Sequence, residues 1–147
     1  MSSPTIDCSR RFISSVVDGI PPSNEKLIQL LDELAQAYHA CPPGEVTDAD
    51  IDIPRQKYLH SEIGVRFPNL GWYSTADPSD ALPKQTGVGD AIDDLADIVR
   101  DLQDVISHYE ALGLDDAHWM FRFLFRIHWG GHLRHLALYL HTQEFEA

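Results

Sequence analysis

Residues 90–141 read DAIDDLADIVRDLQDVISHYEALGLDDAHWMFRFLFRIHWGGHLRHLALYLH, and the fold is decided here. At about 100° per residue, Ile92, Leu95, Val99, Leu102 and Ile106 fall on one arc of a helix. Asp90, Asp93, Asp94, Asp97, Asp101 and Asp104 fall on the opposite arc. Asp90 is placed to cap this helix, and Gly113 to stop it after Leu112. Asp115 can then cap a final helix after a very short turn. Residues 90–142 therefore read as an antiparallel helical hairpin.

Working back towards the N-terminus, helical spacing continues. Phe12, Val16 and Ile20, with Ile13 and Val17 beside them, form a stripe closed by Gly19 and Pro21-Pro22. Ser23 caps a second helix with Leu27, Leu30, Leu31, Leu34 and Tyr38 on one face, stopped by Pro42-Pro43-Gly44. Pro54 suits the first turn of a third, carrying Tyr58, Leu59, Glu62, Ile63 and Arg66 up to Pro68. Residues 67–89 hold three prolines and three glycines around Trp72 and Tyr73. They read as a long ordered loop pinned to the core by those two aromatics. No stretch alternates like a strand. The expected architecture is all-α, one domain over 1–147, a bundle of about five helices.

Composition narrows the function. The chain has 147 residues, 44% of them hydrophobic, enough for a real core. Twenty-three acids against 11 bases give a net charge of −12. That balance argues against nucleic acid and against an anionic membrane as partners. It leaves a cation, a basic protein partner or a second copy of the chain. Cys8 and Cys41 form no C-x-x-C pair, and the start MSSPTIDCSRRF has no apolar run before its charges. The expected compartment is the cytoplasm.

Two clusters carry chemistry. The six aspartates have a simple reading as a solvated face behind a buried one. The sharper reading is a divalent cation shared by Asp94 and Asp97, or by Asp97 and Asp101, with Asp94 nearest the apolar border. The last helix holds five of the eight histidines. Phe121, Phe125, His128, His132, His135, Leu136 and Tyr139 share one of its faces, and apolar residues nearly all round imply a central helix. His128 and His132, four apart, can meet one metal, with Asp94, Asp97 or Glu62 as a third ligand. The simpler reading makes them core histidines bonded to carboxylates or carbonyls. Tyr73, Arg126, Trp129 and His135 are candidate supporting residues. Arg122, Arg126 and Arg134 are expected to pair with the acidic helix.

Gly130-Gly131 needs a reason, because each helical glycine costs about 1 kcal/mol against alanine. Close approach of the 67–89 loop is the first explanation, and a π-bulge the second. A break here would spoil the alignment of His128 and His132.

Three motifs, F-P-x-L-G-x-Y (Phe67, Pro68, Leu70, Gly71, Tyr73), D-D-L-A-D-I (Asp93–Ile98) and H-W-G-x-H (His128, Trp129, Gly130, His132), resemble a bacterial family of small proteins. It is the domain-of-unknown-function family numbered fifty sixty-three. The resemblance spans about 25–141; it implies a helical fold and no assigned activity. Gly131 departs from it, since a larger residue is usual there. The acidic helix is also similar to that of helical nucleotide pyrophosphohydrolases, but it has aspartates where they use E-E-x-x-E and E-x-x-D, and no second acidic helix.

The resulting expectation is a non-catalytic binding or interaction module that needs no cofactor. The alternative is a metal-binding protein or metal-dependent hydrolase built on Asp94, Asp97, His128 and His132.

Overall fold

The computed structural model describes residues 3–82 and 85–146; Pro83 and Lys84, within the expected 67–89 loop, lie outside the described residues. Helix α1 (Pro4–Val17) begins with Pro4 in its first turn and the Ser3 hydroxyl accepting from the Ile6 N–H. Its stripe buries Phe12 and Val16, but Ile20 lies beyond the helix and is 94% exposed. Helix α2 (Asn24–Ala40) is capped by Ser23 and buries Leu27, Leu30, Leu31 and Leu34.

The helix expected from Pro54 does not start there. Residues 41–59 have no regular structure, and α3 spans only His60–Arg66. The backbone N–H of Gln56 donates instead to Asp104 at 2.8 Å, and Arg55 donates to both Asp101 and Asp104. Side chains of another helix satisfy this segment, so it gains nothing by coiling on itself.

The 67–89 connection contains a two-stranded antiparallel ribbon, β1 (Trp72–Thr75) and β2 (Gly87–Asp90), which the absence of sustained alternation did not predict. Each strand is four residues long, too short for alternation to show. Gly89 is required: a Cβ there would sit 2.3 Å from the Tyr73 ring. Of the two aromatics expected to anchor the segment, only Tyr73 packs against the core, while Trp72 is 77% exposed.

Helix α4 (Ala91–Leu112) is capped by Asp90, whose carboxylate accepts from the Ile92 N–H. Gly113, at φ 99°, turns the chain into α5 (Leu114–Leu124), so the predicted hairpin forms. The central helix is α4 and not the last one: it packs on α1, α3, α5 and α6. Nor is its acidic arc solvated, since Asp94, Asp101 and Asp104 are buried. The last rod, by contrast, leaves Ile127 and Leu138 exposed.

That rod runs from α5 through a π-helical turn (Phe125–Trp129) into α6 (Gly130–His141) and a second π turn (Thr142–Glu146). Residues at the junctions keep right-handed helical dihedrals, so it is one continuous body. Counted that way, five helices among the described residues make up a mostly α fold. Gly130 closes the π turn. Its N–H bonds the Phe125 carbonyl, and a Cβ would lie 2.3 Å from that oxygen. The close neighbour is therefore the chain's own backbone and not the 67–89 loop. Gly131 is exposed with nothing near its missing side chain. The two glycines should respond oppositely to alanine. Gly130→Ala is expected to destabilise by about 1–3 kcal/mol through overpacking, and Gly131→Ala to stabilise by up to about 1 kcal/mol. Urea unfolding of both variants checks the split.

No helix among the described residues is long and apolar enough to cross a membrane.

Candidate metal centre

On α4, Asp94, Asp97 and Asp101 recur at intervals of three and four, so one face presents all three. The π turn and α6 run antiparallel beside it and bring up His128 and His132. His128 Nδ1 lies 2.6 Å from Asp101 Oδ2, and His132 Nδ1 lies 2.7 Å from Asp94 Oδ1. An ionised carboxylate only accepts, so each Nδ1 carries a proton, and in the neutral imidazole each Nε2 is left with its lone pair. Both Nε2 atoms turn to Asp97, which sits between them at 3.8 Å from His128 and 3.1 Å from His132. The two rings meet edge to face, with centroids 4.8 Å apart.

A further layer holds the two outer carboxylates. The second oxygen of Asp94 accepts from the Tyr73 hydroxyl. That of Asp101 accepts from Arg55 Nη2 at 3.1 Å. Asp101 is fully buried and Asp94 is 3% exposed, whereas the side chains of Asp97, His132 and His128 are 15%, 23% and 36% exposed. The outer partners are thus sealed and the inner three groups face an opening.

The electrostatics match this layering. Burial pushes the Asp97 carboxyl above its ordinary range, and nearby Asp93 adds to the push against the pull of both imidazoles. Burial likewise raises Asp101, opposed by His128 and Arg55. For His132, burial alone would favour the neutral ring. The hydrogen bond to Asp94 and the charges of Asp97, Asp94 and Asp93 outweigh it and hold the pKa above the ordinary value.

Asp97, His128 and His132 each offer a ligand atom within 4.8 Å of the others. Asp93, Asp94 and His132 form a second such group, but there Asp94 already accepts the His132 Nδ1 proton, and Tyr58 donates to Asp93. The first group is the better centre.

The four principal sequence candidates therefore meet in space, across a helix that deviates to a π turn without breaking. The supporting candidates divide. Tyr73 joins through Asp94. Glu62 does not; it is exposed and pairs with Lys57 at 3.2 Å. Trp129 is fully buried among Phe121 and Phe125, away from the ligands. His135 is exposed, one turn further along α6. The arginines expected to pair with the acidic helix do not: Arg126 donates to the Tyr38 hydroxyl and Arg122 to the Cys41 carbonyl, and among the described residues Arg134 makes no ion pair. Their place is taken by Arg55, which no periodicity flags because it lies on an irregular segment. The pairing of Asp101 with His128 was accessible in principle. Once Asp94 faces His132, an antiparallel register sends the residue a turn or two later on α4 to the earlier histidine.

A family described as a domain of unknown function, DUF5063, matches this chain over residues 10–145. Among solved structures, the crystal structure of protein BF1032 from Bacteroides fragilis superposes with a TM-score of 0.75, covering 98% of this chain and 92% of its own. The two sequences are 15% identical, so the likeness is one of fold. No curated protein matches the chain significantly.

Proposed function

Because the chain belongs to the DUF5063 family, which carries no assigned activity, its role is read from its own site, and we propose that it binds one divalent transition-metal ion through Asp97, His128 and His132. One observation carries this reading. Each imidazole gives its Nδ1 proton to a buried carboxylate, and both Nε2 atoms are thereby aimed at the same third carboxylate. Carboxylate–histidine pairs of this kind orient metal-binding imidazoles and raise their basicity.

The spacing suits an ion. Two ligands about 2.1 Å from a tetrahedral metal lie roughly 3.4 Å apart. The Nε2–carboxylate distances of 3.8 Å and 3.1 Å bracket that value. Two imidazoles favour zinc or iron(II) over manganese(II), magnesium or calcium, which prefer oxygen ligands. Three protein ligands leave a position for water, the pattern of open sites rather than closed structural ones. A metal there would lower the pKa of the bound water, which is the chemistry a hydrolytic role would use.

This is the alternative reading of the sequence, and it departs from the leading expectation of an interaction module that needs no cofactor. An acidic surface for a basic partner has less support, since Asp94, Asp101 and Asp104 are buried and engaged by His132, His128 and Arg55.

Zinc at 100 times its dissociation constant should stabilise the fold by about 2.7 kcal/mol, a rise in Tm of roughly 5–10 °C for a chain of this size. The affinity should be pH-dependent in a definite sense. Zinc displaces protons from the ligands, and His132 holds its proton above the usual imidazole range. Binding is therefore weak at pH 6 and tightens as pH rises past the raised pKa. Elemental analysis of protein purified without chelator, with calorimetric titration at pH 6 and pH 8, measures both. No bound metal and no thermal shift with zinc, manganese or iron(II) would overturn the reading.

A further inference from the structure

We infer that the cavity between β1 and α6 binds a small, uncharged aromatic molecule, a role that needs no bound metal. The cavity measures about 500 Å³, within the usual range for small-molecule sites. Trp72 and Tyr73 form one wall, Leu138 and Tyr139 the other, with His135 and Thr142 at the polar rim. Tyr73 and Tyr139 stack with centroids 5.1 Å apart and planes 26° from parallel. Both are fixed at their hydroxyls: Tyr139 accepts from the Gly71 N–H at 3.1 Å, and Tyr73 donates to Asp94. The aromatic floor is thus preorganised, so a guest loses little by ordering it.

Two large apolar side chains on the rim, Trp72 at 77% and Leu138 at 66% exposure, are left in water. An aromatic ring seated on the tyrosines would cover apolar surface on both walls and stack as such rings prefer. The lining also sets the charge of the guest. Among the described residues it includes no Asp, Glu, Lys or Arg, and its histidine, His135, is exposed at the rim, so an ion would leave water without a buried partner. The hydroxyls of Ser74, Thr75 and Thr142 and the amide of Gln143 can instead bond one polar group of a phenol- or indole-sized molecule.

The test is an amide NMR titration of the chelator-treated full chain with indole, with benzoate as the charged comparison. Indole should shift resonances of residues 72–76 and 135–143 in saturable fashion, and benzoate should bind at least tenfold more weakly. Trp72→Ala and Leu138→Gln, both at exposed positions, should each weaken indole by tenfold or more while leaving zinc affinity unchanged. Shifts that are absent, that centre elsewhere, or that survive both substitutions would overturn the inference; equal binding of benzoate would overturn the charge assignment. Loss of zinc binding in the wild-type protein has no bearing on these outcomes.

Discussion

Asp94→Asn is expected to weaken zinc binding by roughly 10–100-fold, although Asp94 is not one of the three ligands, because outer partners of metal-bound histidines carry costs of that size. Asp94 receives two donors, His132 Nδ1 on one oxygen and the Tyr73 hydroxyl on the other. Asparagine can accept on its carbonyl oxygen alone. Its amide nitrogen would confront the Nδ1 proton, or, with the Tyr73 hydroxyl turned to accept from it, would leave Nδ1–H on a neutral carbonyl in place of a carboxylate. In the first case the imidazole turns away or moves its proton to Nε2 and the metal loses a lone pair; in the second the imidazole is no longer polarised by a charge and Nε2 is a weaker ligand. Asp101→Asn should behave alike towards His128, since its second oxygen accepts from Arg55. His132→Ala, which deletes a ligand, should cost more than either. Calorimetric titration with zinc at pH 8 ranks the variants. Wild-type affinity in Asp94→Asn would contradict the assignment of Asp94 as the group orienting His132.

Trp129→Ala should remove about 3–5 kcal/mol of stability, the range for truncating a buried large aromatic. A typical domain has only 5–15 kcal/mol in total, so this variant should be near unfolding at moderate temperature. Trp129 is fully buried at the end of the π turn and packs on Phe121 and Phe125 with centroids 5.0 Å and 4.8 Å away. Its indole N–H is buried without a hydrogen-bond partner. Trp129→Phe should therefore cost much less, because the smaller cavity is offset by removal of an unpaired donor. Denaturant unfolding of the pair separates packing from the polar penalty. A loss under about 1 kcal/mol for alanine would contradict the packing account.

The reading of the sequence was most successful where the signal is local. The cap at Asp90, the stop at Gly113 and the apolar faces of α2 and α4 are each written in a few neighbouring residues. It failed where partners came from a distance. A helix was expected from Pro54, but Asp104 and Asp101 on α4 take up the backbone and side chains of residues 55 and 56. Trp72 looked like an anchor by its apolarity, yet Gly89 makes room for Tyr73 and leaves Trp72 outside. Charge alone directs the arginines of the last helix to the acidic helix, but tertiary neighbours give Arg126 the Tyr38 hydroxyl and Arg122 the Cys41 carbonyl instead.

By itself, then, the sequence determined a mostly helical fold, with an acidic helix followed by a histidine-rich one, and it offered four candidate residues. Periodicity, caps and glycine stops are properties of a few adjacent residues, so they survive without coordinates. Only the tertiary structure decided that Asp94, Asp97 and Asp101 turn inward and that His128 and His132 meet them nitrogen by nitrogen. That outcome depends on the register of two antiparallel helices and on the extra residue of a π turn at Gly130. Both are set by packing summed over the whole core, which no single stretch of the chain encodes.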